Sequence, residues 1–144
     1  MAETKFRNFR DNYIALSSLA SGNARTLAFA GLAFVWLFKP SAGGVNELPG
    51  LLYASGCLFV LTLILDVLQY AYATAAWGIY CRLKEKEGER TGNPINDDTD
   101  VSAPEQINWP TLALFWAKQA TLFVAYFIVA LYMFISKFYP DGVN

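Results

Sequence analysis

Between Leu48 and Cys81 the chain runs for 34 residues with Asp66 as its only charge. About 20 apolar residues already cross a bilayer, so this stretch predicts a membrane-spanning helix and argues against a soluble fold. From Trp109 to Ser136 the only charge is Lys118, and the run LFVAYFIVALYMFI predicts a second span. Composition points the same way, since 55% of the 144 residues are hydrophobic, 16% are aromatic and the mean hydropathy is +0.29.

A third apolar run, TLAFAGLAFVWLF, fills the 13 positions between Arg25 and Lys39. It is short for a span taken alone. Arg25 and Lys39 can bury their stems and hold their charged heads at the two interfaces, so a helix from Asn23 to Lys39 reaches about 25 Å. Local thinning of the bilayer accommodates that length. A basic leader, an apolar stretch and the small residues Ser41 to Gly44 also fit a signal peptide, but the leader is long and Lys39-Pro40 interrupts the pattern, so a span is preferred.

Basic residues orient the spans. Lys5, Arg7, Arg10 and Arg25 precede the first, Lys39 alone separates the first two, and Arg82, Lys84, Lys86 and Arg90 follow the second. The excess of Lys and Arg on cytosolic loops then places the amino terminus in the cytosol and the carboxy terminus outside. Ahead of the first span, Phe6, Phe9, Tyr13 and Leu16 recur at helical spacing and Gly22-Asn23 reads as a C-cap, which predicts an amphipathic helix that lies on the inner surface or packs on the other helices. The second span overshoots, because its 34 residues make about 51 Å against a hydrocarbon core of about 30 Å. RLKEKEGER carries it into the cytosol, and TGNPINDDTD breaks it. Ser102 to Glu105 matches a capping box, and Asn108-Trp109-Pro110 offers a second helix start.

The expected architecture is therefore all-α, one membrane domain over 1–144: an amphipathic helix over 1–22, span one over 23–39, span two with its cytosolic extension over 48–90, a loop over 91–102, and span three with a cytosolic start over 103–139.

Histidine is absent, which removes the commonest metal ligand and the usual general base at neutral pH. No phosphate-binding glycine loop or paired catalytic carboxylates are visible, so no enzyme and no cofactor is expected. Asp97, Asp98 and Asp100 lack the glycine and closing glutamate of a calcium loop and read as a solvated turn. Cys57 and Cys81 lie about 36 Å apart on one helix, too far to pair, and are expected to be small buried residues.

Ionisable side chains inside spans are costly, so their depth is informative. Measured from the outer ends of the three helices, Arg25, Asp66 and Lys118 lie roughly 21, 24 and 30 Å in. All three reach the inner boundary layer, where Asp66 can pair with Lys118 or Arg25 and fix helix packing or form a gate. Ser55, Thr62, Asp66 and Gln69 share one face of span two, and Thr111, Lys118, Thr121 and Ala125 repeat the feature on span three. Ala24, Ala28 and Gly31 form a small-residue stripe suited to close helix contact. A polar face cannot point at lipid, so either these faces meet inside one protomer or several protomers assemble around them. The second option predicts a homo-oligomeric pore lined or gated by Ser55, Thr62, Asp66, Gln69, Lys118 and Thr121. At the cytosolic mouth Arg7, Arg10, Arg25, Arg82 and Lys84 stand beside Trp77 and Trp116, a mixture of cations and flat rings that suits a nucleotide or single-stranded nucleic acid. Positive-inside topology and the interfacial aromatic belt predict the same residues without a ligand. The rival to a pore is a non-conducting membrane anchor that recruits a cytosolic partner through the amino-terminal helix and the projecting end of span two.

The stretch SLASGNARTLAFAGLAFVWLFKP (Ser18 to Pro40), together with LDVLQYAYATAAWGIY and FWAKQATLF, resembles the small bacterial membrane effectors of Hailong anti-phage systems. The resemblance implies a homo-oligomeric ion channel, with four copies, that depolarises the bacterial inner membrane during infection. It also implies that a short DNA oligomer from a partner nucleotidyltransferase holds the channel shut. No site residue is carried over from that family.

Overall fold

The computed structural model describes residues 6–38, 48–92 and 104–138; for residues 6–11 and Glu105 it describes the backbone alone. The architecture is all-helical: α1 (Phe6–Leu37), α2 (Gly50–Thr91), a 3-10 turn at Glu105–Asn108, and α3 (Trp109–Phe138). The predicted start signal at Asn108-Trp109-Pro110 is where that turn hands over to α3, with Pro110 at the second residue of α3, where a missing N–H leaves no helical bond unmade. Ser102, the first residue of the predicted capping box, and Asp97, Asp98 and Asp100 lie outside the described residues.

Each helix buries one narrow stripe whose members alternate in steps of three and four. On α1 these are Ser21, Ala24, Ala28, Gly31 and Val35; on α2, Leu52, Ser55, Phe59, Thr62 and Asp66; on α3, Phe115, Lys118, Leu122, Ala125, Val129 and Tyr132. That spacing keeps each stripe facing the same neighbours along its length, as in a shallow left-handed bundle. Cross-helix contacts give the directions. Gln119 Nε2 donates to the Ala20 carbonyl at 3.3 Å and Tyr126 Oη to the Leu27 carbonyl at 2.8 Å, so α1 and α3 run parallel. Asp66 meets Ser21 and Phe59 meets Gly31, so α2 runs antiparallel between them. α2 and α3 make the most extensive pairing. Small residues on α1 let it approach closely, and the Phe59 ring occupies the space, edge-on to Tyr126 at 5.0 Å between centroids.

Two expectations are corrected and one is met in part. α1 is one continuous helix of 32 residues, not an amphipathic helix capped at Gly22-Asn23 and followed by a separate span. The buried stripe runs through the junction in register, with Ser21 and Ala24 on either side, and this packing outweighs the ~1 kcal/mol cost of a helical glycine. The apolar side chains of Tyr13, Ile14, Leu16 and Leu19 are exposed. Second, among the described residues two helices, not three, are long and apolar enough to cross a membrane: Gly50–Thr91 and Gln106–Phe138. In α1, Asn23 and Arg25 cut the apolar run short. Third, Cys57 and Cys81 are exposed and free. Cys57 lies midway between Ser55 and Phe59 in sequence, about 200° round the helix from the buried stripe. Cys81 lies past the end of the buried stripe of α2.

Beyond Asp66, α2 continues for 25 residues, about 37 Å. It ends at Gly92, whose φ of 73° is the left-handed cap that glycine adopts without strain, its N–H bonded to the carbonyls of Glu89 and Gly88. Two pairs at a spacing of three brace this extension, Arg82–Glu85 at 3.6 Å and Lys84–Glu87 at 2.7 Å. The hydrogen bond from Lys84 holds the Glu87 carboxyl below its ordinary range, and the same bond raises the Lys84 ammonium. A lowered carboxylate contributes helix stability above its unfolded value and loses it as pH falls through the folded one; a raised ammonium contributes below its unfolded value and loses it as pH rises through the folded one. The pair is therefore intact at neutral pH. Protection factors of the amides in the last turns of α2, corrected for the intrinsic pH dependence of exchange, are expected to fall slightly in acid once Glu87 protonates, and Glu87→Gln should remove that fall.

Candidate functional site

The polar centre of the molecule is built on Asp66. Its Oδ2 accepts from Arg25 Nε at 2.9 Å and Nη2 at 2.8 Å, a two-point grip from α1. Its Oδ1 accepts from Lys118 Nζ at 2.6 Å, from α3, and from Ser21 Oγ at 3.2 Å. Lys118 Nζ also donates to Ser21 Oγ, and Tyr70 Oη lies 3.3 Å from the same hydroxyl. Aromatic faces enclose the cations: Lys118 Nζ is 5.5 Å from the Phe115 centroid and 5.8 Å from that of Tyr70, and Arg25 Cζ is 5.8 Å from Tyr70. All three helices contribute a charge to one layer.

Exposure separates the two cations. The Lys118 side chain is 0% exposed and that of Asp66 6%, whereas that of Arg25 is 48% exposed. Lys118 and Asp66 form a buried pair whose members cannot be hydrated, and each depends on the other. Arg25 leans on that pair from the rim. With two cations to one carboxylate, the layer carries a net positive charge, an unusual load for an apolar bundle.

Ser55 and Thr62 are fully buried between the helices of the same chain, their hydroxyls donating to the carbonyls of Leu52 at 2.8 Å and Leu58 at 2.9 Å. Of the two options open to the polar face of α2, the described arrangement is the one in which it meets α1 and α3 inside one protomer. Bonding back to its own helix leaves each hydroxyl satisfied without a cross-helix partner. Thr121 does the same with the Ala117 carbonyl at 2.8 Å. Gln69 lies one turn beyond Asp66, half-buried, and its Oε1 is enclosed without a hydrogen-bond partner.

Of the residues expected at a cytosolic mouth, Arg25 belongs to this layer, whereas Arg82, Lys84 and Trp77 stand away from it along α2. Arg82 lies 16 residues along α2 from Asp66, about 24 Å away from Arg25's partner, and both Arg82 and Lys84 are engaged with carboxylates of their own helix. Trp77 stacks edge-on with Tyr80 at 6.0 Å, and Trp116 with Phe115 at 5.4 Å, its own indole turned outward. The side chains of Arg7 and Arg10, in the first two turns of α1, lie outside what the structure describes. Ser21, Tyr70 and Phe115, which complete the layer, escaped the sequence reading. Ser21 extends the Ala24, Ala28 and Gly31 stripe back by one step of three, and Tyr70 stands four residues from Asp66, so both carried a helical-spacing signal.

Chemically the layer offers charge pairing and hydroxyl relays. Among the described residues no three His, Cys, Asp or Glu side chains are grouped to hold a metal ion. Comparison with protein-family models, with curated proteins and with solved structures finds no match to this chain.

Proposed function

We propose that the chain is a three-span protein of a bacterial inner membrane, its amino terminus cytosolic and its carboxy terminus outside, and that copies assemble into an ion-conducting pore gated at the layer of Arg25, Asp66 and Lys118. The observation that carries this reading is the fully enclosed Lys118 sharing Asp66 with a half-exposed Arg25. Ionisable groups at membrane depth are expensive and mark ion pathways and gates more often than mere packing. In this reading the paired layer is the closed state. Arg25 and Ser21 latch α1 across the polar face of α2; releasing the latch lets α1 swing away, so that Ser55, Thr62 and Asp66 turn from core into pore wall. The apolar part of α1 crosses the bilayer as the third span, with Arg25 snorkelling to the inner boundary.

Purified protein in planar bilayers is expected to conduct, and Arg25→Gln to raise the open probability by loosening the latch while leaving the Asp66–Lys118 pair in place. No conductance in either protein, together with a monomer in detergent, overturns the reading. The Hailong resemblance adds four copies, depolarisation during infection, and closure by a short DNA oligomer from a partner nucleotidyltransferase. Co-expression of that partner would then relieve toxicity.

The extension of α2 past the bundle favours a second reading, a non-conducting anchor that recruits a cytosolic partner. A stable co-purifying complex without toxicity on overexpression would decide for it.

A further inference from the structure

Along the seam between α1 and α2 lies an open groove of about 470 Å³ whose walls, among them Leu32, Trp36, Gly56, Val60 and Ile64, are almost wholly apolar. On α2 it runs from Leu52 to Ile64, about 18 Å, against about 15 Å for one leaflet of the hydrocarbon core. Its inner end leads towards the charged layer. Arg25, Phe29, Leu32 and Trp36 follow one another at steps of four, three and four, which is one line along α1, and the outer two of them wall the groove. Side chains of a helix lean toward its N-terminus, the cytosolic end in the placement proposed above, so Arg25 reaches toward the inner headgroups.

The layer holds two cations to one carboxylate, and no other Asp or Glu stands within about 18 Å of Arg25, Asp66 or Lys118 along their helices. Lys118 is sealed. The excess charge is therefore open only at Arg25, whose side chain is half-exposed and whose guanidinium has more N–H groups than Asp66 Oδ2 takes up. Water would leave that charge without a counterion, and a free anion would leave the groove unfilled.

We propose that an anionic phospholipid of the inner leaflet binds here, its phosphate on the outward N–H groups of Arg25 and one acyl chain in the groove against Leu32, Trp36 and Val60. The inference rests on the membrane placement proposed above and not on conduction. The phosphate supplies the negative charge that the layer lacks.

The test follows phosphatidylglycerol and phosphatidylcholine, each spin-labelled near the end of one acyl chain, by electron paramagnetic resonance, with the full-length protein reconstituted in phosphatidylcholine bilayers. Both lipids carry the phosphate and the chain, but only phosphatidylglycerol has a net charge. The motionally restricted population is expected to favour it about fivefold, the equivalent of about 1 kcal/mol for one cation near an anionic lipid. Arg25→Gln should bring the two lipids to parity. Val60→Trp, which fills the groove and leaves Arg25 in place, should do the same, whereas a bare surface charge would keep its preference. Inorganic phosphate, titrated at constant ionic strength, has the anion without the chain and should not displace the lipid. A protein that shows this selectivity and passes no current supports the lipid site while counting against the pore. Equal association of the two lipids with the wild-type protein, a preference that survives either substitution, or displacement by inorganic phosphate overturns the proposal.

Discussion

Replacing Asp66 with alanine is expected to destabilise the bundle by about 3–5 kcal/mol, the range for removing one member of a buried ion pair. The loss is not mainly the attraction that disappears. It is the Lys118 ammonium left behind, 0% exposed, with the Ser21 hydroxyl and two aromatic faces as its remaining company. Arg25, facing the same site, then adds repulsion. Lys118→Met should cost less, because the surviving Asp66 still has Arg25, whose half-exposed side chain supplies a route to water. The double variant Asp66→Leu, Lys118→Met should recover most of the loss of Asp66→Ala, since an apolar replacement of the pair removes both desolvation penalties. Thermal or denaturant unfolding in detergent, followed by circular dichroism, measures all three. If Asp66→Ala costs under about 1 kcal/mol, or the double variant is worse than either single one, the pair is not the linchpin of this bundle.

That the pair exists was legible before any coordinates, because helical rise is the same in every helix and depth follows from counting. Arg25, Asp66 and Lys118 fall in one layer by count, and the structure joins them. Direction around the helix was legible too: the offsets of Ser55, Thr62 and Asp66 put them on one face, and one face is where they lie. What periodicity does not carry is the identity of the neighbour. It says where a side chain points about its own axis, not whether the surface it meets belongs to the same chain or to another copy, and here that surface is α1 and α3.

The break expected at Gly22-Asn23 failed for a different reason. Glycine followed by asparagine is a fair local stop signal, but Ser21 and Ala24 are both tied into the bundle, and a helix held on each side of a weak point continues through it. Cys57 shows the converse, since its place off the stripe of Ser55 and Phe59 was readable from spacing, and residue type was the poorer guide. Of the basic and aromatic residues grouped by topology alone, Arg25 joins the layer while Arg82, Lys84 and Trp77 stand well along α2 from it, because a shared side of the membrane is a far weaker constraint than a shared layer.

The second large effect is expected at the contact of Gly31 with Phe59. A Cβ at Gly31 would lie 2.3 Å from Phe59 Cζ and 2.5 and 2.6 Å from the two Cε atoms, well inside contact distance. The ring end of a phenylalanine can often yield, but this one is 0% exposed and braced against Tyr126 at 5.0 Å, so it has no room to retreat. Gly31→Ala should therefore push α1 outward and cost about 1–3 kcal/mol, the usual penalty for overpacking. Phe59→Ala leaves the opposite defect, a cavity between three helices. In water-soluble cores that costs about 3–5 kcal/mol, but part of it is transfer out of water, which lipid-embedded helices do not recover, so about 2 kcal/mol of lost packing is expected for the membrane placement proposed above. The two defects are complementary. Gly31→Ala combined with Phe59→Leu should be more stable than Gly31→Ala alone, because the shorter side chain makes room for the added methyl. If α1 also carries the latch, Gly31→Ala should loosen the grip of Arg25 on Asp66 without touching either residue, and the Phe59→Leu partner change should restore it. Additive effects of the two substitutions on stability would show instead that α1 does not pack on α2 through this ring.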